Sequence, residues 1–463
     1  MSGSAAPYLA LPRTNVPRAV WPPVPSELAA RHLALQYQLE QSQYWPLEQL
    51  ERAQFRQLGQ LAAHAWQTAP FYRTRLAQVG YDGQGEMTPE IWRRIPLLTR
   101  RDVQQAGNEL NSTSVPQSHG QIGSLSTSGS TGTPVTVKKT GLEQIYFKAF
   151  NLRTHLWHQR DFSKTLAVIR AQHGKNAYPD GGRREQWAPP IGLIFKTGPC
   201  FALDIATGIA EQCEWLVRIN PDYLLSHATN LMFLARHCKE AGLSLPALKE
   251  VASLGEIVDG EVRETCREIW GVEVKDIYTS VEAGYMAVQC PQFDHHHVQS
   301  ESCLLEILDD AGEPVKPGEL GRVVVTPLHN FATPLLRYEV GDYAEAGEPC
   351  PCGRSLPVIK RIVGRRRDMV VLPSGEKRFG WLSSRGFAKI DALVQYQVVQ
   401  KTPEAMEVRL VAHRPLNEEE REIVRATIVQ SFGYDFALTF TYHDELPRAA
   451  SGKFFVFRSE VPA

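Results

Sequence analysis

An excess of charge of either sign is the first thing this sequence lacks. Its 50 Lys and Arg stand against 51 Asp and Glu, leaving a formal net charge of −1. A chain so balanced has no general attraction to nucleic acid or to an anionic membrane surface, and neither partner is expected. Also missing is any run of about 18 uncharged apolar residues, so no transmembrane helix is expected. The N-terminus carries no basic stretch followed by an apolar core, so no secretory signal is expected. Cysteine is scarce and mostly scattered, with eight in 463 residues. That usage suits a reducing cytoplasm better than a disulfide scaffold, and a cytoplasmic location is the expectation. No internal repeat is visible. What remains is 43% hydrophobic and 22% charged, the composition of an ordinary globular protein.

The texture of the chain divides it in three. Residues 1–26 are rich in Pro and Ala and end in Trp21-Pro22-Pro23-Val24-Pro25, which reads as an extended arm. Residues 27–66 read as helices, with Leu50, Phe55, Leu58, Leu61 and Ala62 approximating one face. From about 120 to 350, short β-rich runs such as Leu166–Ile169, Val251–Leu254 and Gly321–Thr326 alternate with helical runs, which argues for α/β layers. The polar, turn-rich segment 181–190 reads as a surface loop. After Gly364 the pattern changes. Val394, Tyr396 and Val398, then Met406, Val408 and Leu410, then Phe436, Leu438 and Phe440, alternate as half-buried strands, and Asn417 with Glu420 resembles a capping box. The expectation is an α/β protein: a large N-terminal domain of layered mixed sheets and helices over 27–363, and a small mobile α+β domain over 364–463.

One stretch stands out chemically. Ser126-Thr127-Ser128-Gly129-Ser130-Thr131-Gly132-Thr133-Pro134 offers closely spaced backbone amides and hydroxyl donors, the makings of a phosphate cradle. No Gly-Lys-Ser/Thr closes it, so it is not a Walker A loop. A flexible Ser/Gly surface loop is the plainer alternative for such a stretch in isolation. Four further motifs follow in order: Ser253-Leu254-Gly255-Glu256, Tyr278-Thr279-Ser280-Val281-Glu282, Arg337-Tyr338-Glu339-Val340-Gly341-Asp342 and Gly364-Arg365-Arg366-Arg367-Asp368. The chain closes with Leu446-Pro447-Arg448-Ala449-Ala450-Ser451-Gly452-Lys453.

Together these motifs resemble the adenylate-forming superfamily of acyl-CoA synthetases, luciferases and adenylation domains. Pro70-Phe71-Tyr72-Arg73, the lysine-free start of the Ser/Thr/Gly loop, and Cys350-Pro351-Cys352-Gly353-Arg354 point to its phenylacetate-CoA ligase-like branch. The resemblance covers roughly residues 35 to 463. It implies ATP and Mg²⁺ as cofactors, with Thr127, Ser128, Gly129, Ser130, Thr131 and Gly132 around the β- and γ-phosphates. Gly255, Glu256, Tyr278 and Thr279 would line the adenine site, and Asp342 would accept from the ribose hydroxyls. Arg365 would contact the nucleotide and Glu282 would hold Mg²⁺, a hard cation suited to a carboxylate. Lys453 would bridge the carboxylate and the α-phosphate, where a compact ammonium meets developing charge. The hinge of the family falls on Arg367, where Asp or Lys is commoner.

The same resemblance places a structural zinc at Cys290, His297, Cys350 and Cys352, an N/S donor set suited to a closed tetrahedral site. Ordinary thiols beside a His-rich loop are the alternative. Cys200, Cys213, Cys238, Cys266 and Cys303 read as small buried apolar residues. His227, Ala228 and Tyr285 are expected to line the acid pocket. The implied activity is ATP-dependent activation of a small-molecule carboxylic acid, an aryl or arylacetic acid, through an acyl-adenylate, with transfer to CoA. Transfer to an amine or to the thiol of a carrier protein is the second reading. A catalytically silent relative is the third, and retention of Glu282, Asp342 and Lys453 argues against it. The protein is expected to be a monomer or a homodimer.

Overall fold

The computed structural model describes residues 11–126, 134–365, 369–379, 382, 386–449 and 452–461. Two helices, Glu27–Ser42 and Leu47–Thr68, open the fold; Leu50, Leu58, Leu61 and Ala62 of the second are buried as their spacing predicts. Pro12 and Arg13 of the arm before them lie against the large domain, where Arg13 N–H donates to the Ile194 carbonyl at 2.7 Å.

Among the described residues the largest sheet has twelve strands. Five of them run parallel in the order Cys200–Asp204, Leu166–Arg170, Tyr223–Ser226, Glu250–Leu254 and Glu273–Ser280. The helices Ile209–Ile219, Ala228–Glu240 and Gly260–Trp270 connect and cover them, as parallel strands require. Beyond Glu273–Ser280 the sheet turns antiparallel through Gly284–Gln289, His296–Val298, Val358–Arg365, Tyr338–Ala346, Leu320–Pro327 and Cys303–Leu308. The carboxyl ends of the parallel strands deliver Arg170, His227, Gly255 and Glu256 to one rim. In open α/β sheets that rim is where ligands bind.

Segment 181–190 lies largely at the surface, as its polarity suggests, but it is not all loop. Gly182–Arg184 adds an antiparallel edge strand to Cys200–Asp204, and Trp187 is buried with its indole N–H donating to the Lys164 carbonyl at 2.9 Å. The indole's apolar area outweighs the polar residues around it.

The smaller C-terminal domain has its own core. Leu393–Thr402, Ala405–Ala412, Ala437–Tyr442 and Phe457–Ser459 form a four-stranded sheet covered by the helix Glu418–Phe432. The Asn417–Glu420 capping box is present in both directions at 2.9 Å. No helix among the described residues is long and apolar enough to cross a membrane.

Candidate active site

A cleft of about 230 Å³ runs between the two domains. Gly255, Glu256, Tyr278 and Asp342 line it from one side and Lys453 and Phe455 from the other. Gly364 and Arg365 line it as well, so five of the sequence motifs meet in one place. The antiparallel pair Ile122–Ser126 and Thr136–Thr140 carries the phosphate-loop stretch, with Ser126 opposite Thr136 at its neck. Thr127, Ser128, Gly129, Ser130, Thr131 and Gly132 themselves lie outside the described residues, as does the hinge position Arg367. Lys139, one of the two lysines nearest that loop, is buried and ion-paired with Glu143 at 2.5 Å.

Asp342 sits on the strand Tyr338–Ala346 with little exposure. Its two oxygens accept from the Tyr278 hydroxyl at 2.8 Å and from Arg365 Nε at 2.9 Å. Burial and the neighbouring Asp342 carboxylate hold the Tyr278 phenol well above its ordinary pKa, so it serves as a donor. Glu282 is buried; its Oε1 accepts from the Tyr338 hydroxyl at 3.3 Å and lies 4.0 Å from the Arg100 guanidinium.

Glu256 lines the cleft and also joins the domains. One oxygen accepts from Thr229 N–H at 2.9 Å and Thr229 Oγ1 at 2.7 Å, at the positive N-terminal end of the helix Ala228–Glu240. Its other oxygen accepts from Phe454 N–H at 2.9 Å, next to the expected catalytic lysine. A second clasp comes from Arg448, which donates to the Asn230 side chain at 2.9 Å and to the Gly452 carbonyl at 3.2 Å. Leu446 and Phe454 are buried in the apolar core of the large domain, with the Phe454 ring edge-on to Phe233.

Two glycines make this approach possible. Gly452 has φ +82°, and a Cβ there would stand 2.7 Å from Ile205 Cγ2. Gly255 has φ +85°, and its Cβ would stand 3.2 Å from Lys453 Cε. The lysine side chain therefore lies across the backbone at Gly255, beside His227, whose ring is also within van der Waals range of that point. His227 is buried, and its Nδ1 meets the Leu254 carbonyl at 2.9 Å. Burial is the main cause that lowers its pKa, with Arg170 and Lys453 adding to it, so the imidazole is neutral near pH 7. Ala228 is fully buried in the core of the large domain. Tyr285 accepts from the Asn151 amide at 2.9 Å and packs at a tilt against Phe147, with ring centroids 4.9 Å apart.

The Cys/His cluster is apart from the cleft. Cys290, His295, His297 and Cys350 bring their ligand atoms within 4.8 Å of one another. The Cys290 and Cys350 sulfurs are 3.8 Å apart, and His295 Nε2 is 2.9 Å from Cys350 Sγ. Cys352 Sγ stands 3.3 Å from His297 Nε2, whose Nδ1 meets the Leu356 carbonyl at 3.2 Å. The cluster thus includes His295, which family spacing does not select. The other five cysteines are buried, as expected.

Sequence reasoning assigned no role to Thr229, Asn230, Phe147 or Arg170. They lie outside the motifs: Arg170 ends a parallel strand, Thr229 and Asn230 open the helix Ala228–Glu240, and Phe147 sits on the helix Gly141–Trp157. Arg448 lies within the closing motif, where its neighbour Lys453 draws the attention.

Residues 381–460 match the family described as the CapK C-terminal domain. The chain is 26% identical over 336 residues to a phenylacetate-coenzyme A ligase of Thermus thermophilus, covering 71% of this chain and 73% of that one. It is 23% identical over 338 residues to a phenylacetate-coenzyme A ligase of Pseudomonas putida, covering 70% and 73%. In fold it is similar to a 2-hydroxyisobutyryl-CoA ligase in the postadenylation state, bound to an acyl-adenylate, with a TM-score of 0.69 at 18% identity over 90% of this chain and 91% of that one.

Proposed function

We propose that the chain is a member of the adenylate-forming superfamily, alongside the phenylacetate-CoA ligases, and that it activates a carboxylic acid with ATP and passes the acyl group to CoA. In the first step a carboxylate oxygen bonds to the α-phosphorus and the bond to pyrophosphate breaks. In the second, the CoA sulfur bonds to the acyl carbon, AMP leaves with the electron pair, and the thiol proton goes to solvent. Little covalent work falls to the protein, so its contribution is position and charge.

The observation that carries this reading is the delivery of Lys453. A lysine near a C-terminus is ordinarily solvated. Here Glu256, Arg448 and two buried apolar side chains hold its loop on the large domain, and the side chain lies at Gly255. That arrangement supports a point charge offered to the carboxylate and α-phosphate. Asp342 lies in the same cleft with an acceptor-only carboxylate suited to ribose hydroxyls. The Tyr278 ring, fixed through its hydroxyl, suits an adenine face. Glu282 offers carboxylate oxygen to Mg²⁺, which when bound offsets triphosphate charge. The phosphate loop at 127–132 and a hinge at Arg367 complete the reading on resemblance.

Zinc belongs to the same reading as a structural ion. Tetrahedral ligation with Zn–S of about 2.3 Å puts two sulfurs roughly 3.8 Å apart, and the separation of Cys290 and Cys350 agrees with it. His295 and His297 supply nitrogen, and Cys352 is a further thiol beside His297. An aromatic acid is the favoured substrate, because Phe147 and Tyr285 present paired rings near the expected acid pocket.

Acid-dependent pyrophosphate release from Mg-ATP tests the reading, measured with and without CoA. Lys453→Ala should abolish release while leaving the fold and the binding of a preformed adenylate intact. An unchanged rate would remove Lys453 from the chemistry.

A further inference from the structure

Arg170 ends the central strand Leu166–Arg170. Alternation along that strand sends Ala167 and Ile169 into the core on one face and Leu166 and Val168 toward the helix Gly141–Trp157 on the other. Arg170 falls on the second face, the side on which Tyr285 is held by Asn151 of that helix. Its neighbours in the sheet are Asp204 on one side and the end of Tyr223–Ser226, followed by His227, on the other.

A half-buried guanidinium normally has a carboxylate. Among the described residues Arg170's side chain has no hydrogen bond or ion pair, and burial pulls its pKa below the ordinary value for arginine. The nearest carboxylates are engaged elsewhere. Asp204 accepts from the backbone amides of Gly174 at 2.8 Å and Ala206 at 3.1 Å. Glu256 is shared between Thr229 and Phe454. Arginine stays charged at any physiological pH, so this cation persists.

The rim therefore carries two cations near one buried imidazole. Lys453 lies across Gly255 beside His227, and Arg170 ends the strand next to the one that leads into His227. One reacting carboxylate needs only the first. Phe147 is 46% exposed although its ring packs on Tyr285, leaving an apolar aromatic face uncovered at the same place. We propose that Arg170 is the specificity-determining residue of the acid pocket: it receives a second anionic group on the substrate, so the preferred acid is an aromatic dianion rather than a simple monocarboxylate. This rests on the acid-activation reading above. It adds the substrate class.

The test uses the full chain with Mg²⁺ and an ATP analogue that cannot be cleaved between its α- and β-phosphates. Binding of phenylacetate and of its three ring-carboxylated isomers is measured by calorimetry on the wild type, Arg170→Gln and Arg170→Lys. A charge-assisted contact corresponds to roughly 10- to 100-fold in affinity. The wild type should bind one dianion that much more tightly than phenylacetate. Arg170→Gln should lose that margin and keep phenylacetate within about threefold; Arg170→Lys should keep part of it. No preference for any dianion in the wild type would overturn the proposal, as would equal losses for both acids in Arg170→Gln. Parallel samples with ATP read pyrophosphate release. Dianion preference in binding without release from any acid would sink the ligase reading and leave the pocket assignment standing. Release from monocarboxylates without dianion preference would do the reverse.

Discussion

Replacing Glu256 by Gln should separate the two half-reactions. The carboxylate has one oxygen on Thr229 and the other on Phe454 N–H at 2.9 Å. An amide has only one acceptor oxygen, so the substituted side chain can satisfy Thr229 or Phe454 but must turn an NH₂ toward the other. Thr229 offers two donors and Phe454 one, so the amide oxygen should stay with Thr229. The lost contact is a hydrogen bond to a charged group, worth about 1.5–3 kcal/mol. Glu256 is partly exposed, which favours the lower end, and about 1.5 kcal/mol is roughly tenfold in an equilibrium. The contact exists only while the lysine loop is docked. Acid-dependent pyrophosphate exchange should therefore fall about tenfold, whereas thioester formation from a supplied acyl-adenylate and CoA should stay within about twofold. Thr229→Ala, which removes one donor from the helix side and none from the loop, should leave that ratio unchanged. Equal falls in both half-reactions, or no fall in either, would refute the argument that Glu256 acts by holding the loop.

Two other outcomes follow from the site. Asp342→Asn removes the charge that accepts from Tyr278 and Arg365, and should raise the ATP KM by about 10- to 100-fold, the worth of one or two charge-assisted bonds; equal ATP affinity by calorimetry would count against the ribose assignment. Cys350→Ser should lower bound zinc, measured by elemental analysis, and should lower the thermal midpoint, because a structural metal adds its binding free energy to the folded state; a metal-free wild type purified without chelators would end the zinc reading.

Much of the fold was legible because it rests on period and punctuation. Val394, Tyr396 and Val398 alternate and form a strand; Asn417 and Glu420 cap a helix in both sequence and structure. The motifs that converge on the cleft were legible through the resemblance that their order carries, which implies the uses of Tyr278, Asp342 and Lys453. Glu256 was legible in place but not in purpose. Its partners, Thr229 and Phe454, lie 27 residues before it and 198 residues after it, and local pattern carries no information at that range. Arg170 was hidden for a related reason. A strand of five residues ending in a charge looks like a strand meeting solvent, and only the neighbouring strands show that this end stands beside Asp204 and the approach to His227. In segment 181–190 the surface position was legible from its polarity, but the edge strand Gly182–Arg184 and the one buried indole, Trp187, were not.

Leu446 and Phe454, buried against the large domain, give the lysine loop a thermal character. Any excursion of the loop from its seat brings both side chains into water, at about 1.5–3 kcal/mol each. Exposing apolar surface raises heat capacity, so the balance between seated and unseated loop bends with temperature instead of following a straight van't Hoff line. Cooling weakens the apolar share of the seat and leaves the Glu256 and Arg448 contacts to hold it. The temperature at which adenylation is fastest relative to thioester formation is therefore set in part by two apolar side chains seated in the core of the large domain.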